Sequence, residues 1–306
     1  MLLSVIHETT FDYVPPVKTA QHMTHLKPRH DERQQVLSHQ LTIQPTPTQL
    51  IETTDVYGNT RAFFSLAGAH KDLKVVADSV VSTQVPAEPL ESPAWEAVRE
   101  RMRYHRGAAW DPATEFVFAS PYVPRHEHFL AYSRPCFTPG RPLWEAAHDL
   151  MTRIHEDFAY ETEATDVSTP ALEALALRKG VCQDFAHIML GCLRSLGLPA
   201  RYVSGYLLTQ PPPGRLRLIG SDASHAWVSV YLPGEEAGAG VWADLDPTND
   251  RMPGDDYVRL ATGRDYSDVS PIRGVIHGGA NHTLRVAVTV APVSYNSPPT
   301  HSRRLP

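Results

Sequence analysis

Cysteine is scarce in this chain: three residues, Cys136, Cys182 and Cys192, among 306, with no CxxC pair. So small and odd a set excludes a disulfide-stapled scaffold or a zinc ribbon and fits a reducing compartment, so a cytoplasmic location is expected. Cys182 and Cys192 on one helix would lie roughly 15 Å apart, too far to bridge. Long apolar runs are also missing, and no stretch approaches the ~20 residues of a membrane-spanning helix. The start, MLLSVIHETTFDYV, lacks a basic n-region, so no secretory signal is expected. Positive charge is not in excess: 28 Lys and Arg against 34 Asp and Glu give a net charge of −6, which argues against a nucleic-acid or anionic-membrane partner. With 42% hydrophobic and 20% charged residues, the chain still has material for one large domain or two ordinary ones.

What is present centres on Lys179–Leu208, KGVCQDFAHIMLGCLRSLGLPARYVSGYLL. Phe185, Met189, Cys192, Leu193 and Leu196 recur at helical spacing, and Gly197 and Pro199 supply the stop. Cys182 falls at the helix start, where unpaired backbone N–H groups and the positive end of the dipole favour a thiolate. A small buried hydrophobe is the plainer alternative for any free cysteine, and it suits Cys192 on the apolar stripe. Two later residues favour chemistry at Cys182: His225, heading the strand-like run of SHAWVSVYLP, and Asp246 in VWADLDPTND. Nucleophile, base and orienting acid are the three parts of a cysteine acyl-transfer site.

Strand geometry separates the two nearby carboxylates. If Ala226–Leu232 and Val241–Leu245 form a hairpin with Leu232 opposite Val241, Asp246 lies diagonal to His225, at roughly 7–8 Å between backbones. Asp244 then falls opposite Ser229, about 13 Å along the strand from His225. The expected orienting acid is Asp246. His187, on the cysteine's own helix, is a rival base without an acid at fixed spacing.

GVCQDFAHIMLGCLRSLGLPARYVSGYL, SHAWVSVYLP and LDPTND together resemble the three core blocks of the bacterial transglutaminase-like superfamily. The likeness continues in GRDYSDVSPIRGVIHGG, and HETTFDYVPPVKTAQHMTHLKPR and DVYGNTRAFFSL look like the β-rich N-terminal domain these proteins often carry. The resemblance implies an α+β, papain-like core in which a nucleophile helix packs on an antiparallel sheet. It makes Cys182 the nucleophile, His225 the base and Asp246 its partner. It implies acyl transfer through a thioester at an amide of a peptide or protein substrate, with no metal or organic cofactor. The backbone N–H of Cys182 and one further donor, Tyr160 or Gln183, would meet the oxyanion. Tyr160 as a residue packed at the core edge is an equal alternative. Water as acceptor gives a peptidase or amidase, and the resemblance leans that way; an amine gives a transglutaminase. A binding or scaffolding module without turnover is the reading from another class.

In chain order, residues 1–85 read as a β-sandwich, 86–140 as a helical and irregular connector, and 141–306 as the core. SPAWEAVRERMRYHR reads as an amphipathic helix with Ser92 as its N-cap. PGRPLWEAAHDLMTRIHEDFAY and TPALEALALRKG follow as helices, the latter capped by Thr169 with Pro170 first inside. RLRLIG is an expected strand after the Pro211–Gly214 turn, Arg264–Gly279 an expected loop over the site, LRVAVTVAPV a closing strand, and the last ten residues a frayed end. His22 and His25, and the run His126-Glu127-His128, resemble metal-ligand spacings but lack a third partner. They are expected as solvated surface, and Cys136 as a loop residue.

Overall fold

A computed structural model of the chain describes residues 1–88, 91–107, 109–209, 224–279 and 281–293. Four strands come first: β1 (Leu2–Thr24), β2 (Gln34–Gln44), β3 (Gln49–Thr54) and β4 (Thr60–Thr83). β1 and β4 are long enough to serve two halves of the sheet. Leu2–Asp12 pair with Asp72–Ser82, and after an irregularity Val17–Thr24 pair with Ala62–His70. The β2 strand joins the first half and β3 the second. Alternating apolar residues from both halves, among them Ile43, Val75 and Ala77 from one and Ala20, Phe64 and Leu66 from the other, meet in one buried cluster. Both halves belong to one antiparallel sheet, and this is the strand-rich N-terminal region expected.

The connector is more ordered than its composition suggests. It holds α1 (Trp95–Arg101), a 3-10 turn at Pro112–Val117 and α2 (Glu127–Ser133). The first helix is short, and Ser92 does not cap it: the Ser92 hydroxyl accepts from Trp144 N at 2.8 Å, on the first turn of α3 (Leu143–Asp157). Proximity in space, not in sequence, chose the donor. His126 caps α2 by accepting from His128 N, so the run starts a helix instead of lying in a loop, while Glu127 and His128 are exposed as expected. Cys136 lies in the turn after α2, a loop residue as expected, and is buried there at 6% exposure against the main apolar cluster.

After α3 come β5 (Ala159–Tyr160), α4 (Ala171–Leu177), β6 (Lys179–Gly180) and α5 (Cys182–Ser195). Pro170, not Thr169, is the α4 cap residue, a one-residue shift. The second sheet is antiparallel, in the order β10 (Tyr257–Gly263), β7 (Ala200–Leu207), β8 (Ser224–Leu232), β9 (Val241–Leu245). α5 packs on β7 and β8 and is crossed by α2 at Gly191, where a Cβ would come within 2.8 Å of the Phe129 ring. Its far end is locked by Arg194, fully buried. This guanidinium donates to the carbonyls of Phe116, Ala200 and Arg264 and to Ser120 Oγ, joining connector, sheet and the following loop.

The chain's end does not stay with the core. Where a loop is expected, α6 (Tyr266–Val269) is followed by β11 (Ile272–Gly278), and β12 (Asn281–Pro292) closes the chain. Both strands pair with β1, so residues 272–292, assigned above to the catalytic core, complete the first sheet. Long-range pairing leaves no mark in local periodicity. RLRLIG, its preceding turn and the terminal residues lie outside the described residues.

A second tie joins the two sheets. β10 is an edge strand, and two side-chain amides stand in for its missing neighbour. Gln34 Nε2 donates to Arg259 O and Gln34 Oε1 accepts from Arg259 N, at 2.8 and 2.7 Å. Asn59 does the same for Thr262, at 2.8 Å in each direction. Asn59 belongs to the DVYGNTR stretch singled out above, whose Asp55 carboxylate in turn fixes the Asn59 amide. His22 and His25 are also buried, at 4% and 3% exposure, the first stacked on Phe64 and the second bonded to Ser270 O. Solvated surface is therefore the wrong description for both.

Candidate active site

Cys182 opens α5, and the backbone before it is held by a single carboxylate. Asp184 Oδ2 accepts from Val181 N at 2.8 Å and from Thr165 Oγ1 at 2.6 Å. This is half of a capping box, with the acid at the third helical position. Gly180 is required for it, because a Cβ there would sit 2.4 Å from the same oxygen. A thiol at the first helical position projects from the end of the helix instead of into its buried stripe, and Cys182 is partly exposed whereas Cys192 is 0% exposed.

The hairpin register is the one expected, with Leu232 opposite Val241 and Ser229 opposite Asp244. The ladder stops at Val228–Leu245, and Asp246 turns away to bridge Arg251. It still reaches His225: Nε2 of the imidazole lies 2.7 Å from Asp246 Oδ2. Cys182 lines the same cleft as His225 and is near enough to help raise the pKa of the imidazole. Asp244 instead accepts from Ser229 Oγ and faces Arg33 at 3.5 Å.

Asp246 is fully buried, and its neighbours explain how it stays charged. Burial opposes ionisation, but donors from His225, Asn249 Nδ2 and Tyr257 OH, each at 2.7 Å, together hold the carboxyl below its usual range. For His225 burial again disfavours charge. The Asp246 bond and the Cys182 contact outweigh it and push the imidazole up to about 10. The His225–Asp246 attraction contributes to both shifts and works against the desolvation of each partner. Trp227 and Tyr257 pack on the imidazole, with ring centroids 6.1 and 5.9 Å away.

Asn249 and Tyr257 were not foreseen. Asn249 had a signal, since it is the fifth residue of LDPTND, where Thr248 N bonds back to Asp246 Oδ1 at 2.9 Å in an Asx-type turn. Tyr257 had none, because it arrives from a different strand. His187 is not a competing base. It is 1% exposed, its Nε2 accepts from Tyr266 N, and burial pulls its pKa down to about 3, so it stays neutral. The side-chain amide of Gln183 donates to Val167 O at 3.1 Å. Tyr160 is 54% exposed, packs edge-on against Phe185 and does not line the Cys182 cleft; its pKa is raised by partial burial and then by the Cys182 and Asp246 charges.

Cys182 and His225 border a cleft of about 250 Å³. One wall comes from the first sheet: His7 and Thr9 of β1, Leu284 and Val286 of β12. Leu284 and Val286 are half-exposed apolar residues lining the cleft that Cys182 borders. His7 is buried, bonded to Tyr206 OH and Thr9 Oγ1, and lowered to about 4 by burial, so that wall is uncharged at neutral pH. Size alone does not mark the site: a hollow of about 420 Å³ bordered by Met102, Tyr104 and Trp110 holds no nucleophile.

Residues 3–82 match the family model of the bacterial transglutaminase-like N-terminal region, and residues 131–247 match the transglutaminase-like superfamily. The chain belongs to the transglutaminase-like superfamily. An uncharacterized Mycobacterium tuberculosis protein is 40% identical over 294 residues, 94% of this chain and 92% of that one. One from Mycobacterium leprae is 30% identical over 294 residues, 94% of this chain and 98% of its own. A crystal structure from Cytophaga hutchinsonii, provisionally described as a cysteine protease, superposes with a TM-score of 0.73 at 19% identity. It covers 99% of this chain and 94% of that one, so the whole transglutaminase-like architecture is shared, N-terminal sheet included. A Pseudomonas aeruginosa protein-glutamine gamma-glutamyltransferase is 34% identical over 97 residues, 31% of this chain and 14% of that protein.

Proposed function

We propose that the protein hydrolyses amide bonds in peptides through a thioester on Cys182. The observation that carries this reading is the His225–Asp246 pair, buried, hydrogen-bonded at 2.7 Å and within reach of a cysteine at a helix start beside an open cleft. With His225 raised to about 10, the thiol proton rests on the imidazole and the Cys182 thiolate attacks the amide carbonyl. The tetrahedral oxyanion is met by the Cys182 backbone N–H and by the Tyr160 hydroxyl, favoured over Gln183 because that amide is bonded to Val167. Collapse expels the amine, which leaves with the proton from His225. Water, deprotonated by the same imidazole, then cleaves the thioester and restores the thiol. Asp246 keeps the imidazole oriented and stabilises its charged form.

Water is favoured as acceptor because the site is not sealed: Cys182 is partly exposed and the His225 side chain is 10% exposed at the cleft. The uncharged apolar wall at Leu284 and Val286 suits a substrate with an apolar side chain beside the scissile amide. The local likeness to the P. aeruginosa glutamyltransferase supports a second reading, transfer from glutamine to an amine.

One experiment separates these. The purified chain is incubated with a peptide library, with and without a labelled primary amine, and the products are weighed by mass spectrometry. New termini after apolar residues support hydrolysis. Amine-adducted glutamine without chain cleavage supports transfer. Neither product, with Cys182 left unacylated, would mean a module without turnover.

A further inference from the structure

The second sheet borders another hollow, which shares no lining residue with the Cys182 cleft. It measures about 570 Å³, is walled by Tyr57, Trp110, Phe116 and Trp242, and has Arg201 and Glu115 in its lining. Arg201 and Tyr202 are neighbours on β7 and therefore point to opposite faces. Tyr202 lines the cleft and Arg201 this hollow.

Arg201 differs from the arginines around it. Arg29 donates to Asn59 Oδ1 and Tyr57 O, Arg33 to Trp242 O, and Arg259 to Asp31 at 2.6 Å. The Arg201 guanidinium lies 4.3 Å over the Trp242 ring, and its Nε is buried with no hydrogen-bond partner among the described residues. A guanidinium carries five N–H donors, and a buried Nε–H without an acceptor is costly even though the Asp244 carboxylate is near enough to favour the charge. Such a group beside a cavity points to a missing anion or ordered solvent.

We propose that this hollow is a binding site for a monoanionic carboxylate on a flat apolar body, with Arg201 as counter-ion. The planar fork matches a carboxylate through two parallel hydrogen bonds, which a neutral amide cannot reproduce. Tyr57, Phe116 and Trp242 are already mutually packed, with ring centroids 5.4 and 5.2 Å apart, and form a ready apolar wall. Glu115 in the same lining repels a second negative charge, so a phosphate dianion is disfavoured.

The test is tryptophan fluorescence and thermal melting of the full chain titrated with 3-phenylpropionate, 3-phenylpropionamide and inorganic phosphate. The expected result is saturable binding of the acid, at least tenfold weaker binding of the amide and no response to phosphate. Arg201→Lys should weaken the acid about tenfold and Arg201→Met should abolish its binding. Ligand-free melting of both variants shows that they are folded. No saturable binding of the acid to the natural chain, equal binding of the amide, or undiminished binding to folded Arg201→Met each overturns the proposal. An N-acetyl dipeptide ending in phenylalanine then identifies the source. Binding as tight as the small acid supports a peptide C-terminus as ligand, and binding of the small acid alone supports a free aromatic acid.

Discussion

The two ends of α5 carry the same residue type in opposite surroundings. Cys182 stands at the open end, with a cleft on one side and a buried imidazole–carboxylate pair within reach. Cys192 lies at 0% exposure in the main core, where burial pushes its thiol far up and out of reach of ionisation. Close by, Arg194 holds the helix to three separate segments. The helix is therefore anchored at one end and chemically equipped at the other. Rigid placement of a nucleophile needs both, because loss of about an ångström of alignment costs rate steeply.

Exchanging residues between the two ends breaks the comparison most sharply. Cys182→Ala is expected to lower kcat/KM on a cleaved peptide by roughly 10⁴ or more, the scale of losing an acyl-transfer nucleophile. Cys192→Ala should leave kcat/KM within about twofold while costing about 1–2 kcal/mol of stability, read by denaturant melts. Next in size is Asp246→Asn, expected to cost roughly 10²–10⁴ in kcat through the wrong imidazole tautomer. Asp244→Asn, on the same strand but bonded to Ser229, should change stability and not kcat. Tyr160→Phe should lower kcat by roughly 10–10² with KM little changed, as for loss of one oxyanion donor.

The smallest effect is a pH slope. His225 is raised in the folded chain from 6.5 to about 10, so its contribution to stability is complete below 6.5 and is lost as pH rises through about 10. Asp246 is depressed, so its contribution holds above 3.8 and is lost as pH falls through its lower folded value. The melting midpoint should decline between pH 6.5 and 10, and His225→Gln should flatten that decline.

Much of the core was legible because its signals are local. The apolar stripe of α5, the stop at Gly197, and the period-two pattern that set Asp246 apart from Asp244 depend on residues close in sequence. The rest was settled by partners far along the chain. Nothing near LRVAVTVAPV says that it pairs with Leu3–Phe11, nor that Leu284 and Val286 would wall a cleft built around residue 182. Ser92 sits where a cap for α1 belongs, yet the adjacent start of α3 claimed it. His22 and His25 read as surface because polar residues in strands commonly are, and partners distant in sequence buried them, Phe64 and Gly274 for His22 and Asp55 and Ser270 for His25. Gln34 and Asn59 gain meaning only when the exposed edge of β10 is brought beside them.

The central claim, that Cys182 alone is activated by the His225–Asp246 pair, is tested most directly by iodoacetamide labelling followed by peptide mapping at neutral pH. The expected result is Cys182 modified well ahead of Cys136 and Cys192, with its rate falling sharply in His225→Gln. Equal rates at the three cysteines, or a Cys182 rate indifferent to His225, would contradict it.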